Sequence, residues 1–480
     1  MRFDRYCVGD YVVLERRFTR AHYLAFERFS GDSNPLHKDV DYGAASEFGQ
    51  TVVPMQMVAS PLSAIAGMHF PGEPSLCLGQ DIHAVAPVFF GDELTYSARV
   101  RAINRTHRVL TLSVLVIRGV EVVLEGELRV QSRLDEWPIE PEYVPVGSPT
   151  ALITGAAGGI GGAIARALAR KGWHLWLHAR AETAAAATLA GECAELGGSA
   201  IMVAADLEHV GERTRLGKSL SAVDGPTILV HTASPPLDAS LSRLAAVNYA
   251  ALRELGEALL PNALKRQSGT ILTIGSTALD RSPAGWDDYI AAKSMAASYV
   301  NSINKRFSNY GIRGLVLAPG FVRTPYSAKW IQNEDEAMLP EEVAEAAAQL
   351  LLGKDSPGST YVRIESGRSE AGAWGFSSRS ATPVAAAAPK PTSTVATEAP
   401  TSVATRGEFA KTVRGLLNLP NDVPMQGAGL GRTAGWDSLR HIELILGIEQ
   451  AYGLSFTSDE IEGTRDFENL AALWERKMAT

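Results

Sequence analysis

At 480 residues the chain is too long for a single hydrophobic core, and its length predicts about three domains. Its 46% hydrophobic and 20% charged residues are typical of a globular protein, while a net charge of −8 and the lack of a basic–aromatic stripe argue against nucleic-acid binding. No apolar run reaches the ~20 residues of a membrane span and no secretory apolar core follows the first residues, so we expect a cytoplasmic protein without membrane association.

The cysteine pattern narrows the chemistry further. The chain has three cysteines, Cys7, Cys77 and Cys193, which lie far apart in the sequence. Such spacing excludes a CxxC metal motif and argues against a disulfide framework. We therefore expect free thiols, no bound metal and a reducing compartment.

The first segment, 1–136, is predicted to be an α+β domain. FTRAHYLAFERFSG is typical of a short helix and TVVPMQMVASPLSAIAGMHF of a longer, buried one. Extended runs separated by turn residues follow, from LGQDIHAVAPVFFGDELTYSARVRAI to VEVVLEGELRVQSR. A long helix followed by strands indicates a sheet wrapped around that helix.

A polar loop in this segment, SGDSNPLH, brings a carboxyl group and an imidazole together. Asp32 and His37 are five residues apart, and Asn34-Pro35 between them predicts a turn. A carboxylate beside an imidazole suits proton transfer. Asp and His in polar loops are more often structural caps than catalytic groups, so this pattern alone leaves both interpretations open.

Three motifs together resemble the MaoC-like (R)-specific enoyl-thioester hydratase/dehydratase family, which has the hot dog fold: SGDSNPLH, VVPMQMVAS and LGQDIHAVAPVFFGDELT. The resemblance implies that Asp32 and His37 handle the water or hydroxyl group and the C2 proton of a 3-hydroxyacyl thioester. Where the family usually has His-Gly, this chain has Pro54-Met55. The Met55 N–H is the candidate oxyanion donor, and the Met55 side chain is expected to reshape the acyl pocket.

A proline-rich stretch, 137–148, predicts a linker, and the segment 149–372 after it alternates strands and helices. TALITG, HLWLHAR, ILVHTAS and GTILTIGS are strand-like, and IGGAIARALARKG is typical of a helix. This alternation predicts an α/β domain with a doubly wound parallel sheet, the Rossmann arrangement.

Two separated motifs in this segment predict a dinucleotide site with acid–base chemistry. TGAAGGIG, 154–161, joins a strand to a helix, and its glycines allow a pyrophosphate to approach the helix N-terminus. Tyr289 and Lys293, in YIAAK, are four residues apart and so share a helix face. An ammonium beside a phenol is expected to lower the pKa of the phenol. Ser276 ends a predicted strand, where its hydroxyl can hold a substrate oxygen.

The ordered set TGAAGGIG, AADLEH, AAVNYAAL, Ser276, YIAAK and LAPGFVRTP resembles the short-chain dehydrogenase/reductase family. The resemblance implies catalytic Ser276, Tyr289 and Lys293, with Asn248 supporting a proton relay through water. It also implies a cofactor site formed by Gly155, Gly159, Ile160, Gly161, Arg180, Asp206, Leu207, Ala233, Tyr289, Lys293, Pro319 and Thr324. Within that site Asp206 would face the adenine and Thr324 the nicotinamide carboxamide. The usual Asn-Asn-Ala-Gly is replaced by His231-Thr232-Ala233-Ser234, which we interpret as a tolerated change.

Arg180 predicts which dinucleotide binds. In HLWLHARAE the second strand is followed by Arg180, and no acidic residue occurs before Glu182. An acidic residue there would bind the ribose hydroxyls of NAD. A guanidinium suits a 2′-phosphate, so NADPH is predicted; the alternative is that Arg180 is a solvated surface charge.

The end of the chain predicts a tethered all-α domain. The stretch 373–405 is rich in Ala, Pro and Thr, which is typical of a disordered linker with an end-to-end distance of roughly 30 Å. In 406–480, GWDSLRHIELILGIE places Ser438 at the start of an amphipathic helix, where a serine is usually only a cap. Its position in a helical domain behind a linker resembles the four-helix acyl carrier proteins. The resemblance implies 4′-phosphopantetheine bound covalently to Ser438.

Together these segments predict a trifunctional acyl-processing enzyme of fatty-acid or polyketide-like biosynthesis. A 3-oxoacyl thioester on the Ser438 arm would be reduced with NADPH to a (3R)-hydroxyacyl thioester and dehydrated to a trans-2-enoyl thioester. The expected partners are a phosphopantetheinyl transferase, and a ketosynthase and an acyl-releasing enzyme in trans, and a homodimer or tetramer is expected by analogy. Two alternatives remain open: hydration followed by oxidation, or a reductase–carrier protein with a non-catalytic hot dog domain.

Overall fold

The computed structural model describes residues 3–72, 74–133, 143–221, 225–331, 333, 335, 337–353 and 361–365, and in the tail 406–417, 419, 424–429, 432–433, 444–445, 448, 451–452, 454, 456, 460, 464 and 466–478. The chain divides into two compact units, Met1–Pro383 and Val384–Thr480. The first unit contains both β-sheets of the described residues. No helix in these residues is both long enough and apolar enough to cross a membrane.

The N-terminal part of the first unit is built on an antiparallel sheet. Its strands are β1 (Tyr11–Arg17), β2 (Ser75–Ala84), β3 (Glu93–Asn104), β4 (Val109–Arg118) and β5 (Glu121–Ser132). Its helices are α1 (Arg20–Ser30), α2 (Pro35–Lys38), α3 (Val40–Ala45), α4 (Met55–Ala59) and α5 (Pro61–Ala64), with a 3₁₀ turn at Phe3–Arg5 and a π turn at Ile65–His69. The sheet order is β1-β3-β4-β5-β2, and each neighbouring pair is antiparallel.

The predicted long buried helix is the core element of this part. It runs through α4, α5 and the π turn, with a proline at the first position of α5, where the missing N–H costs no hydrogen bond. Val58, Leu62 and Ile65 are almost fully buried in one cluster with Leu112 and Val114 of the sheet. The prediction of an antiparallel sheet around a helix, as in the hot dog fold, is confirmed.

The middle of the chain forms a parallel sheet with helices along it. Its strands are β6 (Thr150–Thr154), β7 (His174–Ala179), β8 (Ser199–Ala204), β9 (Ile228–His231), β10 (Gly269–Ile274), β11 (Ile312–Pro319) and β12 (Tyr361–Ile364). Its helices are α6 (Gly159–Ala169), α7 (Ala184–Glu195), α8 (Val210–Leu220), α9 (Leu241–Ala245), α10 (Leu252–Arg266), α11 (Ala278–Arg281), α12 (Asp287–Phe307) and α13 (Pro340–Leu352). A π turn at Ala246–Ala251 joins α9 to α10, and 3₁₀ turns lie at Ser308–Tyr310 and Ala328–Trp330.

The strand order of this sheet places a binding site at one edge. The order is β12-β11-β10-β9-β6-β7-β8. From β6 the strands are added first on one side, as β7 and β8, and then on the other side, from β9 to β12, so the strand order reverses between β6 and β9. Every pair in the sheet is parallel. In doubly wound sheets, ligands bind outside the carboxyl ends of the strands at such a reversal. The predicted Rossmann arrangement is confirmed.

Two helices of the second unit are described along their whole length, α14 (Arg406–Leu416) and α15 (Phe467–Met478), and further helical residues lie between them at 444–445, 448, 451–452 and 460. They share a small apolar cluster, in which the rings of Phe409 and Trp474 stack with centroids 4.4 Å apart. Ser438 lies outside the described residues. The four-helix arrangement of this unit therefore stays a prediction.

Candidate functional site

The turn between β6 and α6 is held close to its neighbours by glycines. Gly155 has a φ of 68°, in the left-handed region, and a Cβ there would lie 2.8 Å from the Cα of Ala233. A Cβ on Gly161 would lie 2.4 Å from the carbonyl oxygen of Gly155, and one on Gly159 would lie 2.6 Å from Thr324. A side chain at Gly155 or Gly161 would collide with backbone atoms, and one at Gly159 would collide with the Thr324 side chain.

The start of α6 offers free backbone donors. Gly158 is the N-cap residue and provides no side-chain cap. The N–H groups of Gly159, Ile160 and Gly161 have no acceptor within the helix, because the first intrahelical acceptor is the Gly158 carbonyl, which is bonded to Gly162. These donors, together with the positive end of the helix dipole, suit an anionic pyrophosphate.

A cavity of about 990 Å³, here called the large cavity, opens at the carboxyl ends of these strands. Its walls bring together nearly all residues that the sequence predicts for cofactor binding and catalysis: Gly155, Gly159, Ile160, Gly161, Arg180, Asp206, Leu207, Ala233, Ser276, Tyr289, Lys293, Pro319 and Thr324. Asn248 is not part of the wall. Its amide nitrogen is hydrogen-bonded to Ser234, and Ser234 is part of the wall.

Tyr289 and Lys293 lie on the first turns of α12 and are buried. The Lys293 ammonium donates to the carbonyl oxygen of Ile274 over 2.8 Å and lies 5.8 Å from the centroid of the Tyr289 ring. Burial lowers the pKa of Lys293 to about 8, since it disfavours the charged form.

The predicted lowering of the Tyr289 pKa is wrong for this structure. Burial raises the pKa of Tyr289 well above its ordinary value, and the neighbouring phenol of Tyr326 adds to the rise, while a hydrogen bond with Ser276 opposes it. The Lys293 ammonium, 5.8 Å from the centroid of the Tyr289 ring, does not offset this effect of burial. Tyr289 is therefore a protonated phenol at neutral pH.

Asn248 occupies the π turn that precedes α10 and is almost fully buried. Its amide nitrogen donates to the carbonyl oxygen of Leu244 over 3.0 Å and to the hydroxyl of Ser234 over 3.2 Å. Among the described residues, its amide oxygen has no hydrogen-bond partner. A buried oxygen without a protein partner is suited to accept from a water molecule.

Two histidines hold the glycine turn in place, a structural role that the sequence analysis did not predict. His178 ends β7, accepts a hydrogen bond from the Gly155 N–H and donates to the Ala205 carbonyl. His231 ends β9, donates to the Val247 carbonyl over 3.0 Å and accepts from the hydroxyl of Thr154. A histidine at the carboxyl end of a strand next to the glycine turn was the signal available in HLWLHAR and ILVHTAS.

The far end of the large cavity carries the charged residues predicted for the adenosine half of the cofactor. Arg180 follows β7 and forms no ion pair with the residues described, whereas Arg243 holds Glu208 in a bidentate pair at 2.9 and 2.6 Å. Hydrogen bonding to Arg243 lowers the pKa of Glu208, and Arg180 contributes through its charge. Arg180 is thus the cation available to a phosphate on this side of the cavity.

The loop after α1 leads into α2, which carries His37 with one ring nitrogen already hydrogen-bonded. Nδ1 of His37 donates to the Val52 carbonyl over 2.8 Å, which leaves Nε2 as the basic nitrogen. Asp32 lies with Oδ2 3.8 Å from that nitrogen. The loop is fixed by Tyr23, whose hydroxyl donates to the Asp32 carbonyl, and by Arg20, which donates to the His37 carbonyl and to Thr51.

A second cavity of about 330 Å³, here called the small cavity, lies beside this loop. His37 and Met55 are both part of its wall, with apolar residues from the sheet around them. Asp32 is not part of the wall, and its side chain is 34% exposed, against 14% for His37. Met55 is the first residue of α4, so its N–H has no acceptor within the helix, and Pro54 before it has no N–H to offer.

The described residues contain no group of three or more His, Cys, Asp or Glu side chains placed to hold a metal ion.

Comparison with known proteins supports both halves of the first unit. Residues 149–335 match the family model for short chain dehydrogenases, and residues 10–119 match the model for the MaoC like domain. An (R)-specific enoyl-CoA hydratase of Aeromonas caviae is 34% identical over 125 residues, which cover 26% of this chain and 93% of that protein. A 3-oxoacyl-[acyl-carrier-protein] reductase of Synechocystis is 33% identical over 184 residues, covering 36% of this chain and 74% of that protein.

A solved structure is also similar over the middle of the chain. It is a 3-oxoacyl (acyl-carrier-protein) reductase from Agrobacterium tumefaciens C58 with NADP bound, 28% identical, covering 45% of this chain and 92% of that one, with a TM-score of 0.42. The matches to the hydratase and to the Synechocystis reductase, each above 30% identity and over most of the relative's length, show the family of each part. This chain is therefore an enzyme of two families, MaoC-like over its N-terminal part and short-chain dehydrogenase/reductase over its middle part.

Proposed function

We propose that the middle part of this chain reduces the C3 carbonyl of 3-oxoacyl thioesters with NADPH, and that the N-terminal part dehydrates the resulting (3R)-hydroxyacyl thioesters to trans-2-enoyl thioesters. The observation that carries the proposal is that Ser276, Tyr289 and Lys293 line the same large cavity as the glycine turn. NADPH, when bound there, supplies a hydride to C3. The names of the relatives over each half support the substrate class.

The reductive direction agrees with the protonation of the site. Ser276 holds the C3 oxygen, and the phenol of Tyr289 donates the proton that converts this oxygen to a hydroxyl group. Burial raises the pKa of Tyr289, so the phenol keeps the proton that reduction consumes. Lys293, together with a water molecule that donates a hydrogen bond to the amide oxygen of Asn248, returns a proton to Tyr289.

NADPH is favoured over NADH by charge. Arg180 is the cation at the adenosine end that has no carboxylate partner among the described residues, whereas Arg243 is already paired with Glu208. A guanidinium binds a 2′-phosphate through charge-assisted hydrogen bonds. We expect Arg180→Ala to raise the KM for NADPH about tenfold, as expected for the loss of one such hydrogen bond, and to leave the KM for NADH unchanged.

The dehydration step uses the small cavity. Nε2 of His37 takes the C2 proton, the electron pair of the C2–H bond forms the C2–C3 double bond, and the C3–O bond breaks. The Asp32–His37 pair delivers a proton to the departing hydroxyl, which leaves as water. The Met55 N–H stabilises the negative charge on the thioester oxygen. The tautomer of His37 that this requires is the one set by the Val52 carbonyl.

The experiment measures both reactions on the full chain. NADPH oxidation with acetoacetyl thioester reports reduction, and loss of the enoyl chromophore of crotonyl thioester reports the reverse of dehydration. Tyr289→Phe should lower reduction by roughly 10²–10⁴-fold and leave hydration unchanged, because it removes only the proton donor of the first reaction. His37→Ala should do the reverse. If His37→Ala hydrates crotonyl thioester as fast as wild type, the N-terminal domain is not the dehydratase and the reductase–carrier alternative is correct.

The proposal includes a carrier arm. Ser438, at Asp437-Ser438-Leu439, would carry 4′-phosphopantetheine, and the linker 373–405 would let the bound acyl group visit both cavities at roughly millimolar effective concentration. Intact mass after co-expression with a phosphopantetheinyl transferase should show one added phosphopantetheine in wild type and none in Ser438→Ala. A wild-type mass without the addition would leave two enzymes that act on diffusing thioesters.

This function implies further partners. We propose a ketosynthase and an acyl-releasing enzyme that act in trans, in fatty-acid or polyketide-like biosynthesis. A homodimer or tetramer and a cytoplasmic location also belong to the proposal.

A further inference from the structure

A second pair of hydroxyl groups lies in the wall of the large cavity, apart from Ser276 and Tyr289. Ser234 follows β9, and Tyr326 lies in the segment between β11 and α13. Their side-chain oxygens are 3.3 Å apart. Ser234 stands where the short-chain dehydrogenase/reductase family usually has glycine, so the pair depends on a residue that distinguishes this chain.

The pair is connected to Asn248 by a chain of hydrogen bonds. The amide nitrogen of Asn248 donates to the Ser234 hydroxyl over 3.2 Å. The Ser234 hydroxyl lies 3.1 Å from the carbonyl oxygen of Pro235 and 3.3 Å from the Tyr326 oxygen, and its single proton can serve either acceptor. When Ser234 donates this proton to the oxygen of Tyr326, the phenol proton of Tyr326 is left for an acceptor in the cavity. Hydrogen bonds in such a chain strengthen one another.

Tyr326 is placed to reach a ligand that is held by Tyr289. It is 38% exposed, and it lies within electrostatic range of the Tyr289 phenol. Its ring is 6.5 Å from that of Trp330, and Trp286 lies edge-on to Tyr289 at 5.9 Å, so aromatic side chains fix both tyrosines. A 3-oxoacyl thioester has a second carbonyl, at C1, separated by one carbon from the C3 carbonyl.

We propose that Tyr326, held by Ser234, donates a hydrogen bond to the C1 thioester carbonyl and thereby selects 3-oxoacyl thioesters over ketones with one carbonyl. The inference rests on the proposed reduction of 3-oxoacyl thioesters. A site that presents a polar group to a substrate oxygen discriminates against an analogue without that oxygen, because the group is then left unpaired. Tyr326 is thus a substrate-binding residue, and Ser234 is its positioning residue.

The test compares two substrates that differ only at C1: the acetoacetyl thioester of N-acetylcysteamine and the 3-oxobutyl thioether, in which a methylene group replaces the C1 carbonyl. Tyr326→Phe should lower kcat/KM for the thioester about tenfold, corresponding to one neutral hydrogen bond. The same variant should change the thioether by less than twofold. Where the thioether turns over slowly, its inhibition constant against the thioester provides the comparison.

Two further variants separate recognition from folding. Ser234→Gly should show the same loss of preference for the thioester. The double variant should be no worse than Tyr326→Phe alone, because both changes interrupt the same series of hydrogen bonds. Tyr299→Phe removes a phenol hydroxyl that donates to the Arg253 carbonyl, outside the cavity wall, and should not change the kcat/KM of either substrate.

Each outcome has a distinct meaning. An equal loss on both substrates shows that Tyr326 only positions the loop, and no loss on either shows that it does not contact the substrate; either result overturns the proposal. If wild type reduces neither compound, the proposed function itself fails, and this is seen before any variant is made.

Discussion

Two neutral imidazoles tie the strand ends together around the glycine turn. His178 links the Gly155 N–H to the Ala205 carbonyl, and His231 links the Thr154 hydroxyl to the Val247 carbonyl. In each case one ring nitrogen accepts and the other donates, which only the neutral ring can do. These bonds connect the turn that receives the cofactor to the π turn that places Asn248.

Acid should weaken this arrangement. Burial lowers the pKa of both rings, that of His231 to about 3, with the charges of Lys293 and His178 adding to the effect on His231. The unfolded chain binds a proton near pH 6.5 and the folded chain does not, so the stability is present above pH 6.5 and falls as the pH drops towards 3. The slope is at most about 1.4 kcal/mol per pH unit for one histidine.

Denaturant unfolding of the full chain between pH 7 and pH 4 measures this slope. His231→Gln retains a donor and an acceptor without a titratable ring, so its unfolding free energy should fall less steeply than that of wild type over the same range. His107→Gln removes an exposed histidine and should reproduce the wild-type slope. Parallel curves for wild type and His231→Gln would show that His231 is protonated in the folded protein.

At the scale of the element, the turn from β6 into α6 is decided by contacts within the protein as much as by its ligand. The Cβ positions at Gly155 and Gly161 are occupied by the Ala233 backbone and the Gly155 carbonyl. The turn after β6 and the turn after β9 therefore pack against each other through their backbones, at Gly155 and Ala233. Gly155 and Gly161 are therefore required for the packing of the site.

Gly161→Ala should destabilise the first unit and weaken NADPH binding together. The added methyl group would lie 2.4 Å from the Gly155 carbonyl oxygen and 2.7 Å from the Thr232 hydroxyl, and such overpacking costs roughly 1–3 kcal/mol. Denaturant unfolding and NADPH fluorescence titration measure the two effects. Gly191→Ala, in α7 with open space around it, should be neutral or stabilising. A stable Gly161→Ala variant with wild-type affinity would contradict the packing argument.

At the scale of the whole molecule, the two sheets of the first unit share a buried contact. β4 packs Leu112 and Val114 against α4 and α5, while Leu115 and Ile117 on its other face join the apolar cluster of α10. Gln267, the left-handed residue after α10 with φ 47°, donates from its amide to the carbonyl oxygens of Ser97 and Ser113. The hot dog sheet therefore has no solvated face along this strand.

Gln267→Ala should weaken this contact. The substitution leaves the backbone acceptors of Ser97 and Ser113 buried without a side-chain donor, at a cost of about 1–3 kcal/mol, and leaves both active sites chemically intact. Thermal unfolding should shift downward, with reduction and hydration rates unchanged at low temperature. Gln349→Ala, on the exposed face of α13, should behave as wild type. An unchanged melting curve for Gln267→Ala would show that the apolar cluster alone holds the sheets together.

Local patterns were enough for the predictions that depend on residues near one another in the chain. The period of the hydrophobic residues predicted both sheet types, and TGAAGGIG with YIAAK predicted residues that share one cavity. Asp32 and His37, five residues apart in the chain, do lie near each other, although only His37 is in the small-cavity wall. Such signals are readable because turn geometry and helix periodicity are local.

What the sequence alone determined is the set of chemical groups and the elements that carry them: the glycine turn, the Tyr289–Lys293 helix face and the His37 loop. Only the tertiary structure decided their protonation and their partners. The Tyr289 pKa is raised because the phenol is buried and lies near the phenol of Tyr326. Ser234 meets Tyr326, 92 residues later, because two loops converge at one sheet edge, and solvent exclusion at that edge depends on the packing of the whole unit.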